Sequence, residues 1–263
     1  MTDNTQKYLF GDTDFAAQRL EVLAGAFEAS SRAFISQAVE SRPQFAIDLG
    51  CGPGYTTHML AEATRCARAI GLDNSEHFIR LAERSATDAV SFCLHDVTQV
   101  PFPAGPSDII YARFLLTHQA EPESLIARWA GQLRPGGRLL LEETDAIYTS
   151  LPAFAEYIRT VEKMLTAAGS NLYVGGRLSA MPAPPGLKRP VNKVARLAVP
   201  NDLAATMFAM NIQTWKHNEF VRNNYQPEAI RLLEEKLNQL AATPTNETGI
   251  EWRLRQLVYE REK

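Results

Sequence analysis

The sequence predicts a doubly wound α/β domain, with helices packed on both faces of a parallel-type sheet. A short apolar run over residues 45–49 leads into a glycine-rich turn and then into apolar residues at helical spacing. Further short apolar runs alternate with helical patterns as far as residue 143. With 263 residues the chain can bury the full core of one such domain. In this fold class, ligands bind outside the carboxyl ends of the strands.

The turn after the first strand carries the strongest functional signal. Asp48 is followed by three glycines spaced two apart, Gly50, Gly52 and Gly54. A dinucleotide fingerprint would require a glycine at position 55, which is tyrosine, so an NAD-dependent oxidoreductase is the weakest alternative. The stretch resembles motif I of the class I S-adenosylmethionine (SAM)-dependent methyltransferases. The resemblance implies that the turn backbone, Cys51 included, lies against the aminoacyl part of SAM, which the acid helps to orient.

Two further acids follow in the order that the resemblance implies. A second strand ends at Asp73, and the family places the carboxylate that binds the ribose hydroxyls there, with Asn74 beside it. The alternative is that Asp73 only caps the helix that starts near residue 75. The third strand, residues 90–94, is followed by Asp96 and Val97, which match the family's adenine-binding pair. A turn role for Asp96 is the alternative.

The fourth strand and the segment after it contain two more candidates. Arg113 lies where the family's chain passes the cofactor, although a surface ion pair is an equal alternative. His118 is the best-placed general base because an unperturbed imidazole titrates near neutral pH, but it is often only structural in the family.

A helix with Leu133 on its apolar face is predicted to stop at Pro-Gly-Gly, residues 135–137, before a fifth strand.

Outside these motifs the chain divides into a predicted lid and a larger domain. Helical spacing predicts one long helix or two short ones before the first strand, and the resemblance implies that residues 1–40 form a lid with Tyr8 near the cofactor or substrate. A tail packed on the surface is an equal alternative. Residues 41–263 form the SAM-binding domain. Strands at 188–199 and 250–259 would complete the family's seven-stranded sheet of order 3-2-1-4-5-7-6.

Residues 150–249 are predicted to be mainly helical, apart from the sixth strand. Helices are predicted at 152–168, 202–215 and 227–241, and residues 175–186 are predicted to be loop-rich. The last two helices lie in an insert, residues 200–249, that is too long for an idle hairpin turn. Its apolar residues either cover an acceptor pocket or only pack on the sheet. These residues are Met207, Phe208, Met210 and Trp215.

Composition limits the classes of partner. The net charge of −3 and the isoelectric point near 6.0 give no electrostatic argument for nucleic acid or for an anionic membrane. Three scattered cysteines indicate neither a disulfide framework nor a zinc site. The absence of a signal peptide pattern and of an 18-residue apolar run favours the cytoplasm.

The sequence therefore predicts a SAM-dependent methyltransferase that releases S-adenosylhomocysteine (SAH) and acts on O, N or C of a small molecule. No metal ligands are expected, and a homodimer is compatible with the sequence. His217, Glu143 and Asp145 are weaker candidates for a base than His118. Two alternatives keep SAM binding: an enzyme of the same fold with non-transfer chemistry, such as a pericyclase, and a non-catalytic SAM-binding module.

Overall fold

The computed structural model describes residues 11–263, so Tyr8 lies outside the described residues. Its sheet has seven strands in the order β3-β2-β1-β4-β5-β7-β6, and this confirms the predicted order. Strands β1 to β5 pair in parallel, and β7 runs antiparallel to both of its neighbours. The strands are β1 Phe45–Leu49, β2 Arg68–Asp73, β3 Val90–Leu94, β4 Ser107–Arg113, β5 Leu133–Thr149, β6 Leu187–Val199 and β7 Ile250–Arg261.

Nine α-helices connect these strands within the described residues. They are α1 Asp14–Ala38, α2 Tyr55–Thr64, α3 Glu76–Ala82, α4 Pro122–Ala130, α5 Pro152–Ala167, α6 Val174–Ala180, α7 Asn201–Trp215, α8 Glu219–Asn224 and α9 Pro227–Ala241. Helix α1 is one continuous helix, and the Thr13 hydroxyl caps it by accepting from the Ala16 N–H at 3.2 Å. In this part of the chain, no helix is both long and apolar enough to cross a bilayer.

Three local predictions were wrong. Helix α4 ends at Ala130, and Leu133 already pairs with β4, so Pro-Gly-Gly forms an irregularity inside β5 rather than a helix stop. The predicted loop after residue 174 begins with helix α6. Its Gly175 is needed because a Cβ there would lie 2.7 Å from the Arg255 Cβ and 2.8 Å from the Thr144 carbonyl oxygen. Helix α8 was not predicted.

Three large apolar clusters form the core. On one face of the sheet, Phe45, Ile47 and Leu49 pack with residues of α4 and α6. Ala46 points to the opposite face, where it packs with residues of α1 and α2, as the alternation of a strand requires. The third cluster joins α5, α7 and α9 to Phe27 of α1.

Candidate active site

The glycine turn is fixed by its fit against two neighbouring segments. The N–H groups of Gly50 and Cys51 both donate to the Leu72 carbonyl oxygen, at 2.8 and 3.1 Å. Gly50 has a φ of +67°, and a Cβ there would lie 2.9 Å from the Leu115 Cδ1. Gly54 has a φ of +95°, and its Cβ would lie 2.7 Å from the Phe92 ring. The turn therefore needs glycine for close packing as well as for backbone conformation.

Asp48 lies beneath the turn and is almost fully buried. Its Oδ2 accepts hydrogen bonds from the hydroxyls of Thr56 and Thr57 at 2.6 and 2.7 Å. Burial raises the pKa of this carboxyl to about 6. Asp48 and Gly54 do not line the cavity described below. In this structure they shape the turn from beneath.

Asp73 connects the turn to the start of α3. Its Oδ2 accepts from the Gly52 N–H and its Oδ1 from the Ser75 N–H, both at 2.9 Å. The side chain that caps α3 is Ser75, which accepts from the Phe78 N–H at 3.2 Å. Burial raises the pKa of the Asp73 carboxyl. Asp73 thus holds the turn in place while its carboxylate remains part of the cavity wall.

Asp96 and Val97 follow β3 at the same edge of the sheet. The Asp96 Oδ1 accepts from the Thr98 N–H at 2.8 Å, which is a local turn bond. The Val97 carbonyl oxygen accepts from the Trp129 indole N–H at 2.8 Å. This second bond ties the segment to α4, and both residues line the cavity.

A single cavity of about 870 Å³ runs from the glycine turn to the helices above the sheet. We call its wall at residues 50–52, 73–75 and 96–98 the turn half. The other part, which we call the apolar chamber, is lined by residues of the α5–α7–α9 cluster and by residues packed on that cluster. They are Leu23, Phe27, Phe114, Ile147, Tyr157, Ile158, Val161, Leu165, Leu172, Met207, Phe208 and Trp252. The volume is in the upper part of the range of roughly 300–1,000 Å³ for small-molecule sites.

Aromatic rings form much of the apolar chamber. The Tyr157 and Phe208 rings stack at 3.9 Å between centroids, and Phe208 also contacts Trp252. Phe27 of α1 makes edge contacts with Phe114 and Trp252 at 5.2 and 5.7 Å. Because of these contacts, α1 forms one wall of the chamber.

Known proteins resemble this chain in sequence and in fold. A family model described as a methyltransferase domain matches residues 47–141, which run from β1 into β5. Residues 47–141 carry a methyltransferase domain of the class I SAM-dependent type. Trans-aconitate 2-methyltransferase of Delftia acidovorans is 37% identical over 131 residues, which are 45% of this chain and 48% of that protein. Malonyl-[acyl-carrier protein] O-methyltransferase of Hahella chejuensis is 29% identical over 126 residues, 48% of this chain and 45% of that protein.

The chain spans about half the length of the curated relatives that it matches. Among solved structures, coclaurine N-methyltransferase bound to N-methylheliamine and SAH superposes with a TM-score of 0.56 at 18% identity. The superposition covers 89% of this chain and 72% of that one. At this identity the likeness shows the fold.

SAM is the cofactor of this family, and the turn half fits it. Gly52 has a φ of +52°, and its lack of a Cβ keeps the turn backbone open toward α1, where Leu20 lies. Carboxylates of the kind that accept from hydroxyl and amino groups line the same wall. Most of the predicted cofactor residues border the cavity, namely Gly50, Cys51, Gly52, Asp73, Asn74, Asp96, Val97 and Arg113. Their individual contacts with SAM stay predictions.

Arg113 ends β4 beside the turn half. Its Nη1 donates to the Ser31 hydroxyl of α1 at 3.0 Å, so strand and helix position the guanidinium together. The surface ion pair considered as an alternative is not seen among the described residues. The charge of Arg113 partly offsets the effect of burial on the Asp48 carboxyl.

His118 lines the cavity at the end of a short 3₁₀ turn, Leu116–His118. Burial, and then the nearby charge of Arg19, lowers the pKa of this imidazole to about 4. His118 is therefore neutral at neutral pH. A base role for it stays a prediction.

The weaker base candidates do not line the cavity. Glu143 accepts from the N–H groups of Leu115 and Leu116 at 2.9 and 2.7 Å and from the Thr117 hydroxyl at 3.0 Å. Burial raises the pKa of Glu143 to about 7. Because of these hydrogen bonds, Glu143 holds the segment that carries His118. Of the other two candidates, Asp145 pairs with Arg255 at 2.8 Å, and His217 is exposed.

Several cavity residues were missed by the sequence reasoning. Arg19 is buried on the face of α1 that also presents Leu20 and Leu23 to the cavity. A charged residue within an apolar helical stripe is a signal that could have identified it. Trp252 of β7 and Asn211 of α7 carry no comparable local signal. In the part of the chain that the structure describes, His, Cys, Asp and Glu form no group able to hold a metal ion.

Proposed function

We propose that this protein transfers a methyl group from SAM to O, N or C of a small molecule. The observation that carries the proposal is the continuity of the cavity, which joins the turn half to the apolar chamber. The turn half would hold the cofactor, and the chamber would hold the acceptor.

Bound SAM supplies a methyl group on a sulfonium, which is already an activated leaving group. The chain's own contribution is to orient the two ligands and to exclude water from the space between them. Asp73 would accept from the ribose hydroxyls with the lone pairs that Gly52 and Ser75 leave free. Asp96 and Val97 would bind the adenine, and Arg113 would bind the cofactor's carboxylate.

An oxygen or carbon acceptor usually needs a base, whereas a neutral amine does not. His118 is neutral and lines the cavity, so it is placed to accept that proton. Its low pKa makes it a weak base. His118 would therefore assist only those acceptors that lose the proton easily.

The names of the relatives support a small-molecule or carrier-bound acceptor. The family model says nothing of the chamber, because α1, α5, α7 and β7 lie outside its matched residues 47–141. The cytoplasmic location, the homodimer and the lack of nucleic-acid and membrane partners stay predictions from composition.

Two measurements test the proposal. Titration calorimetry should show binding of SAM and SAH, and a methyl-labelled cofactor should transfer its label to a component of a metabolite extract. Asp73→Ala should reduce both signals, whereas Asp88→Ala, in an exposed turn before β3, should change neither. A protein that binds neither cofactor form would contradict the proposal, and binding without transfer would favour non-transfer chemistry or a non-catalytic module.

A further inference from the structure

One residue on the wall of the cavity has a buried polar atom that lacks a partner in the part of the chain that the structure describes. Asn211 of α7 lines the cavity, and its Oδ1 is buried with no hydrogen-bond partner among the described residues. Asn211 follows Met207 and Phe208 by four and three residues, so the three side chains share one helical face. A buried carbonyl oxygen without a donor costs about 1–3 kcal/mol. A ligand that donates a hydrogen bond would remove this cost.

The rest of the apolar chamber restricts what such a ligand can be. Two of the three carboxylates on the cavity wall, Asp73 and Asp96, lie in the turn half. The third, Asp12, accepts from the Ser75 hydroxyl of the turn half at 3.2 Å. The chamber itself presents aromatic and aliphatic surface. Two arginines, Arg19 and Arg113, also line the cavity but are not among the residues that define the chamber. They can compensate part of a negative charge at its border, whereas the aromatic and aliphatic surface of the chamber favours a flat apolar molecule over a polyanion.

From these observations we infer that the acceptor is a largely apolar, aromatic-sized small molecule with a hydroxyl or amino group that donates to Asn211. The inference rests on the proposed function, because it places the acceptor in the chamber beside the cofactor. It differs from what the name of the trans-aconitate relatives would suggest. Asn211 is a specificity-determining residue in this reading, and it takes no part in methyl transfer.

The test uses matched probes on the full chain saturated with SAH, so that no transfer occurs. Titration calorimetry compares 2-naphthol, which donates a hydrogen bond, with 2-methoxynaphthalene, which has a similar shape and no donor. Trans-aconitate is the third probe. We expect 2-naphthol to bind ~10-fold more tightly than 2-methoxynaphthalene, the effect of one hydrogen bond, and trans-aconitate to bind more weakly than both.

Three variants assign the preference to Asn211. Asn211→Leu removes the amide and should reduce the preference to less than ~2-fold, whereas Asn211→Asp keeps an oxygen acceptor and should retain it. Thr206→Val is the control on the same helix, because the Thr206 hydroxyl bonds to the Asp202 carbonyl oxygen and the residue does not line the cavity. All three variants should bind SAH as the wild type does.

The inference would be overturned by an Asn211→Leu protein that keeps the full preference, by tighter binding of trans-aconitate than of 2-naphthol, or by binding of neither naphthalene probe. A failure of the proposed function looks different. In that case SAH itself does not bind, and the probes are then titrated onto the ligand-free protein to test the chamber separately.

Discussion

The two ends of the cavity are built in different ways. The turn half consists of backbone and short polar side chains from segments that directly follow β1, β2 and β3. The apolar chamber consists of large side chains from α1, α5, α7 and β7, which are far apart in the chain and meet only when it folds. Local sequence motifs thus encode the turn half, and tertiary packing creates the chamber.

This difference indicates how each end responds to change. The backbone of the turn half has no room to adjust, so small changes there should be costly. The chamber is lined by side chains that can be exchanged for others of similar volume at lower cost. Family membership therefore predicts the cofactor well, and the acceptor has to be derived from the chamber itself.

The largest effect should come from adding one methyl group to the glycine turn that supports the turn half. Gly54→Ala places a Cβ at positive φ and 2.7 Å from the Phe92 ring, so we expect a loss of about 3–4 kcal/mol in the free energy of unfolding. Gly136→Ala is the matched control, because its φ is +78° but no atom lies within 4 Å of the added Cβ. It should lose about 1–2 kcal/mol. Equal losses in urea denaturation would show that packing beneath the turn is unimportant.

Glu143, which holds the segment that carries His118, should make the free energy of unfolding depend on pH. Its pKa is 4.5 in the unfolded chain and about 7 in the fold, so the fold binds this proton more tightly. The resulting stabilisation, about 3 kcal/mol, is complete below pH 4.5 and is lost as the pH rises through 7.

Glu143→Gln isolates this contribution. The variant should lose less stability than the wild type between pH 4.5 and 8 in urea denaturation, because it has no proton to release. Other groups, such as Asp48 and His118, titrate in both proteins and cancel in the difference. Parallel pH profiles would contradict the assignment.

Asp73→Ala should weaken SAH binding ~30-fold, or about 2 kcal/mol, because it removes a charged acceptor from the turn half. Calorimetry with SAH measures this loss. In the same variant, binding of 2-naphthol to the apolar chamber should change less than ~2-fold. If both affinities fell together, the two ends of the cavity would not be independent.

The local elements of the turn half could be predicted from sequence because each depends on neighbouring residues. Gly50 and Gly52 lie directly after a buried strand, Asp73 is the last residue of the second strand, and Asp96 lies two residues after the third. Pro135–Gly137 were misplaced because pairing with β4 overrides their usual role as helix stops. The glycine pair of α6 indicated a loop, although Gly175 is required by its close approach to Arg255 of β7.

The chamber could not be predicted in the same way. Periodicity identified α5 and α7 as helices, but it does not show which other elements their apolar faces meet. Met207 and Phe208 do line the cavity, whereas Trp215 of the same predicted set is buried in the core away from it. That the Asn211 Oδ1 lacks a hydrogen-bond partner among the described residues can be recognised only from the folded structure.

A change within the apolar chamber should be milder than those in the turn half. Phe208→Leu removes the stack on Tyr157 but keeps most of the apolar volume, so we expect a loss of about 1–1.5 kcal/mol in the free energy of unfolding. SAH affinity should stay within ~2-fold of the wild type by calorimetry. A large loss of SAH binding would show that the chamber also shapes the turn half.

The smallest effect should come from His118, where the two ends of the cavity meet. Its pKa of about 4 keeps the imidazole neutral throughout the range in which the enzyme would be assayed, so its titration should leave no inflection in kcat/KM above pH 5. His118→Gln keeps a polar side chain of similar size, and for a neutral amine acceptor it should change turnover less than ~3-fold. For a phenol or another acceptor that must lose a proton, the loss should be larger but stay within ~10-fold, because a base with a pKa of about 4 falls short of the ~10²-fold contribution of a base tuned to neutral pH. Full turnover with both kinds of acceptor would leave His118 a structural residue held by burial, and methyl transfer would then depend on orientation alone.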